Sequence, residues 1–177
     1  MKKTRRDFLQ LTGRLALGSV LLPPDLYLQG EAAPDCKRVK EFGLQLYSLR
    51  DDLPADPRGV LAKVASFGYK QVESYEGPNG MFWGMGNKDF KMYLDDLGMK
   101  VISSHCDITK DFEKKVDAAA AIGMKYLIYN WPSQQHTLEE YRKMAATLNQ
   151  CGTICKKAGI RFANHNYDSS FLRVEGV

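Results

Sequence analysis

GYKQVES (68–74), GMKVISS (98–104), GMKYLIY (123–129) and GIRFANH (159–165) are one pattern written four times. Each copy has a glycine, a large apolar residue, a Lys or Arg, and then a short β-favouring run. The physical reading is a helix closed by glycine in the left-handed conformation, followed by a buried strand. The copies stand 25 to 36 residues apart, the length of one strand–helix unit. The stretches between them carry helix signals. Asp56-Pro57 supplies an N-cap and a proline at the first helical position, with Val60, Leu61, Val64 and Phe67 on one face. Asn87 is the expected cap of a second helix that buries Phe90, Tyr93, Leu94 and Leu97. Thr109 is the expected cap of a third that buries Phe112, Val116, Ala119 and Ala120. Thr137-Leu-Glu-Glu140 fits a capping box, ahead of Leu138, Tyr141, Ala145, Leu148 and Gly152.

With FGLQLYSL (42–49) as a first strand, strands and helices alternate strictly. Alternation argues a parallel sheet with right-handed crossovers, either doubly wound or closed into a (β/α)8 TIM barrel. The first strand–helix turn, SLRDDLPADP (48–57), has no G-x-G-x-x-G, so a dinucleotide-binding sheet loses support. No P-loop is present. A barrel needs eight strands, and only five are legible. The expectation from the residues is therefore an α/β protein with a parallel sheet, doubly wound or a TIM barrel.

The start, MKKTRRDFLQLTGRLALGSVLLPP (1–24), has a basic head, an interrupted apolar stretch and a helix-breaking Pro-Pro. That order fits an export signal over 1–32, with a linker over 33–40. Thr4 to Gln10 resembles the twin-arginine signature, which implies the twin-arginine export machinery as a partner and a periplasmic location. The apolar part is short and contains Arg14, so no stable membrane span is expected. The net charge is +4, of which residues 1–32 carry +2 and the body +2. That balance is too weak to suggest nucleic acid as the partner. Four cysteines in a chain this long make no disulfide framework. Cys151 and Cys155 share a helix face and are read as small packing residues.

In a parallel α/β fold, chemistry gathers at the C-terminal ends of the strands. Those ends hold Tyr47, Glu73, His105, Asn130 with Trp131, and His165 with Asn166. Two of the three histidines lie there, and His136 reads as a loop residue. Aromatic faces beside imidazoles, amides and carboxylates suit a polyhydroxylated small molecule, with rings for sugar C–H faces and polar groups for hydroxyls. Glu73 and His105 are the candidate catalytic residues. Tyr47, Glu73, His105, Asn130, Trp131 and Asn166 are the candidate substrate-binding set. The glycine-rich EGPNGMFWGMGNKD (76–89) is either a lid carrying Met81, Phe82 and Trp83, or an interface or packed loop with glycine at turn positions.

Three segments together carry a resemblance: Phe42 to Arg50, VASFGYKQVE (64–73), and AGIRF (158–162) followed by His165-Asn166. They are similar to the sugar phosphate isomerase/epimerase family of the xylose isomerase-like TIM-barrel superfamily, over about residues 41–177, which implies an α/β (β/α)8 TIM barrel truncated after about five strands, expected to be unstable or to aggregate by itself and to be inactive without the remaining units. The resemblance implies isomerisation or epimerisation of a sugar or keto-sugar by metal-assisted proton transfer. A dehydratase or lyase on a related polyol and a non-catalytic sugar-binding module are the alternatives. It also implies a divalent metal (Mn, Mg, Co or Zn), for which His165 is the candidate ligand here, the other ligands lying on later strands of the family. Tyr167 departs from the His-Asn-His run of closer relatives.

Overall fold

A computed structural model describes residues 41–130 and 135–176. The leader, the linker with Cys36, and Trp131 lie outside the described residues. Five strands alternate with four helices: β1 (Gly43–Gln45), α1 (Pro57–Ser66), β2 (Gln71–Tyr75), α2 (Asn87–Asp96), β3 (Lys100–Cys106), α3 (Phe112–Ala121), β4 (Tyr126–Asn130), α4 (Leu138–Lys157) and β5 (Arg161–His165). All strand pairs are parallel, and the strands neighbour one another in chain order, β1-β2-β3-β4-β5. A doubly wound sheet reverses direction at its switch point. This one never reverses, so its winding is that of a barrel wall.

The four repeat glycines close their helices as the pattern requires, with φ of +89° at Gly68, +67° at Gly98, +77° at Gly123 and +79° at Gly159. Only glycine adopts that region without steric cost. The strands are two-faced. In β2, Val72 and Ser74 are buried against the helices, whereas Gln71, Glu73 and Tyr75 are half-buried on the inner face. The core lies between sheet and helices, where Leu61, Phe90, Leu94, Val116 and Leu127 are sealed from water. Each such side chain contributes about 1.5–3 kcal/mol by leaving water.

Several expectations are corrected. The first strand is only three residues long, because the chain turns into a 3-10 segment at Leu46–Leu49, capped by the Gln45 side chain accepting from Tyr47 N at 2.5 Å. Phe67 is exposed, since it forms the C-cap of α1 and sits past its inner stripe. Asn87 does not cap α2. It is the first helical residue, Gly86 stands at the cap, and the Asn87 amide donates to Ala118 O of α3. Thr109 does not cap α3 either, because it donates to Asp107 instead and Asp111 takes the cap position. The capping box of α4 forms, with Thr137 Oγ1 accepting from Glu140 N at 3.2 Å. The face expected of that helix is displaced towards its C-terminal half. Cys151 and Cys155 are buried, whereas Ala145 is exposed and Tyr141 and Leu148 are half-buried.

The glycine-rich loop is packed against the core, as the second of its two readings expects. Met81 and Trp83 are buried in the core. The Trp83 indole N–H donates to Ser74 Oγ at 3.2 Å, and Ser74 in turn donates to Met81 O at 2.8 Å.

Candidate active site

The C-terminal ends of the strands open into a cleft of about 1110 Å³. Strand register explains its lining. Tyr75 pairs with His105, and His105 with Ile128. Asn130 pairs with His165 one step higher. Side chains two apart share a sheet face, so Glu73 and Tyr75, Ser103 and His105, and Ile128 and Asn130 all belong to the inner face.

Glu73 and His105 form the chemically distinctive pair. His105 Nε2 lies 3.3 Å from Glu73 Oε1, with the imidazole 12% and the carboxylate 26% exposed. The second carboxylate oxygen accepts from Ser103 Oγ at 2.5 Å. Burial pushes the Glu73 pKa up, but hydrogen bonds from His105 and Ser103, with the nearby charges of His105 and His165, outweigh it and hold the carboxyl below its usual range. The neighbouring carboxylate favours a proton on Nε2 over one on Nδ1.

The rest of the wall is polar and aromatic. The His165 ring meets the His105 ring edge-on at 5.2 Å and lies against Tyr167 at the same centroid distance. The Tyr167 hydroxyl donates to Asn130 Oδ1. On the opposite side Tyr47 and Tyr75 meet edge-on at 5.2 Å, and the Arg50 guanidinium covers the Tyr47 ring at 5.0 Å. A half-buried ion pair closes the third side. Lys115 of α3 reaches Glu76 at 2.8 Å and donates to Asp107 O at 2.9 Å, while Asp107 N donates to Glu76 Oε2 at 2.8 Å. Asp107 Oδ1 accepts from both the backbone and the hydroxyl of Thr109, which lowers its pKa.

The structure therefore brings together Tyr47, His105, Asn130 and His165 in the cleft wall, with Glu73 behind His105. Asn166 is exposed and lies outside the lining. The wall also contains Tyr75, Glu76, Asp107 and Tyr167, absent from the expected set. The first three stand within two residues of Glu73, His105 or a strand end, so strand-end position was the available signal. Among the described residues, no three His, Cys, Asp or Glu side chains converge as a metal site. His165 is thus at most one ligand, and the described residues do not fit a complete metal centre.

No family model matches the chain, and no curated protein does. Solved structures do. The chain is similar to a sugar phosphate isomerase/epimerase from Parabacteroides distasonis ATCC 8503, with 29% identity and a TM-score of 0.66 over 76% of this chain and 57% of that one. A second sugar phosphate isomerase/epimerase from the same organism matches at 26% identity and a TM-score of 0.64, over 81% and 57%. At the level of fold alone it is similar to the IOLI protein, whose structure holds a zinc atom, at 12% identity and a TM-score of 0.54 over 70% and 50%. The fold is thus α/β of the xylose isomerase-like TIM-barrel type, and the general kind of protein it resembles is a sugar isomerase/epimerase. The chain spans about 57% of the length of the two Parabacteroides proteins. Among the described residues, no helix is long and apolar enough to cross a membrane.

Proposed function

We propose that this chain forms the substrate wall and proton-handling pair of an enzyme that isomerises or epimerises a sugar or keto-sugar. The observation that carries the proposal is the Glu73–His105 contact at the cleft, with Ser103 on the other carboxylate oxygen. A carboxylate held below its usual range is a poor base but a good fixed partner. His105 is then the proton carrier, the role histidine takes most often in acid–base catalysis. It takes a proton from a carbon beside the sugar carbonyl, and Glu73 stabilises the imidazolium that forms. Asn130 and the aromatic corner of Tyr47 and Tyr75 orient the hydroxyls and C–H faces of a carbohydrate. His165 would serve as one ligand to a divalent metal, which would supply polarisation of the sugar carbonyl. Export by the twin-arginine machinery to the periplasm is part of the proposal, resting on residues 4–10.

The test is solvent exchange. Aldoses and ketoses are incubated in D2O with the complete barrel protein, and deuterium at the carbon beside the carbonyl is followed by NMR. The expected result is deuterium incorporation with isomer formation, reduced at least about 100-fold in Glu73→Gln and His105→Asn. Loss of that carbon-bound hydrogen together with a neighbouring hydroxyl, released as water, identifies the dehydratase chemistry instead. Sugar binding without exchange identifies a binding module and rejects catalysis.

A further inference from the structure

The pairing of β2 with β3 contains one irregularity. Val72 is opposite Val101, but Glu73 is opposite Ser103. Ile102 is therefore an extra residue on β3 with no partner on β2, although its carbonyl still accepts from Lys125 N, just ahead of β4, at 2.8 Å. Such one-residue bulges are rare in parallel pairs and tend to stand where a side chain must be re-aimed. The consequence here follows by counting. In an unbroken ladder Glu73 would face Ile102, and Tyr75 would face Ser104. His105 would then share parity with Ser74, on the helix-facing side of the sheet. A single-residue slip moves every following side chain to the other face. With the extra residue, Ser103 and His105 stand on the inner face beside Glu73 and Tyr75.

Ser103 is the residue at the slip. It is 6% exposed, its hydroxyl donates to Glu73 Oε2 at 2.5 Å, and it lies directly across from Glu73 in the shifted register. We propose that the one-residue bulge at Ile102, fastened by the Ser103–Glu73 hydrogen bond, is what delivers His105 to the cleft, and that Ser103 is a positioning residue for the Glu73–His105 pair. The inference rests on the reading of that pair as the proton-handling centre. It assigns a task to a serine that does not line the cleft. The hydroxyl acts twice, since it selects the shifted register and fixes the carboxylate that orients the imidazole.

The experiment uses the full chain and no substrate, so its failure is distinguishable from failure of the isomerase reading. Imidazole 15N resonances report the His105 tautomer, and ring-proton NOEs report the contact of His105 with His165. In the parent protein we expect the Nε2–H tautomer and a His105–His165 NOE. Ser103→Ala is expected to lower the tautomer preference about tenfold, the effect of losing one hydrogen bond to a charged group. Ser103→Thr keeps the hydroxyl and is expected to restore it. Deletion of Ile102 is expected to abolish the His105–His165 NOE while far-UV circular dichroism keeps its α/β signature. An unchanged tautomer in Ser103→Ala overturns the proposal, as does an intact NOE in a folded deletion variant. Should the deletion variant not fold, the alanine and threonine variants decide.

Discussion

Replacing Lys115 by Met separates a half-buried ion pair from an exposed one. The Lys115 side chain is only 15% exposed, and its ammonium contacts Glu76 at 2.8 Å and the Asp107 carbonyl at 2.9 Å. Methionine keeps most of the aliphatic stem, so the loss is mainly that of the charge. Breaking a fully buried pair costs about 3–5 kcal/mol, because a charge is left without a partner. Exposed pairs contribute about 0–1 kcal/mol. Glu76 lies between these limits, being 26% exposed and still accepting from Asp107 N at 2.8 Å. We therefore expect a loss of about 2 kcal/mol, which for a domain of this size is roughly 6 °C in Tm. Lys91→Met is the internal control. Its partner Asp95 is one turn away on α2, and the two side chains are 44% and 47% exposed. Such a pair contributes about 0.3–0.5 kcal/mol. Urea unfolding followed by circular dichroism measures both, and the Glu76→Gln/Lys115→Met cycle isolates the coupling. If Lys115→Met loses no more than Lys91→Met, the clasp across the β2 and β3 ends contributes nothing beyond a surface pair and the reasoning fails.

The packed glycine-rich loop predicts a steric result. A Cβ on Gly77 would stand 2.5 Å from Trp83 Cη2, and Trp83 is buried, so Gly77→Ala is expected to cost about 1–3 kcal/mol of overpacking. At Gly152, inside α4, an added Cβ meets nothing within 4 Å, and Gly152→Ala is expected to stabilise by about 0.5–1 kcal/mol in the same urea assay. The Glu73 carboxyl gives a pH signature. Its pKa is lowered in the folded state, so its stabilisation is complete above the unfolded value of about 4.3 and is lost as pH falls through the lower folded value. Stability of the parent protein should therefore fall more steeply than that of Glu73→Gln below about pH 4.3. Superimposable acid limbs for the two proteins would contradict the hydrogen-bonded carboxylate.

What could be read from the chain, and what could not, divides along one physical line. The repeat glycines at 68, 98, 123 and 159 were legible because a left-handed helix end is a local requirement, and all four have positive φ. Thr137 was legible as a cap for the same reason, since its partner Glu140 is three residues away. Asn87 and Thr109 have equally good local credentials, yet distant or competing acceptors claimed them: Ala118 O on another helix for one, Asp107 for the other. The same division runs through the site. β4 and β5 pair without interruption, so counting in twos from Tyr126 and Arg161 places Asn130 and His165 on the inner face correctly. On β3 the count fails at Ile102, because a bulge is a property of two strands and leaves no mark on either sequence. Strand-end position suggested His105 despite that, since the rule names the rim and is indifferent to the face. The partnership with Ser103 needed the register itself, so that serine was the part of the site that only the folded pair of strands could disclose.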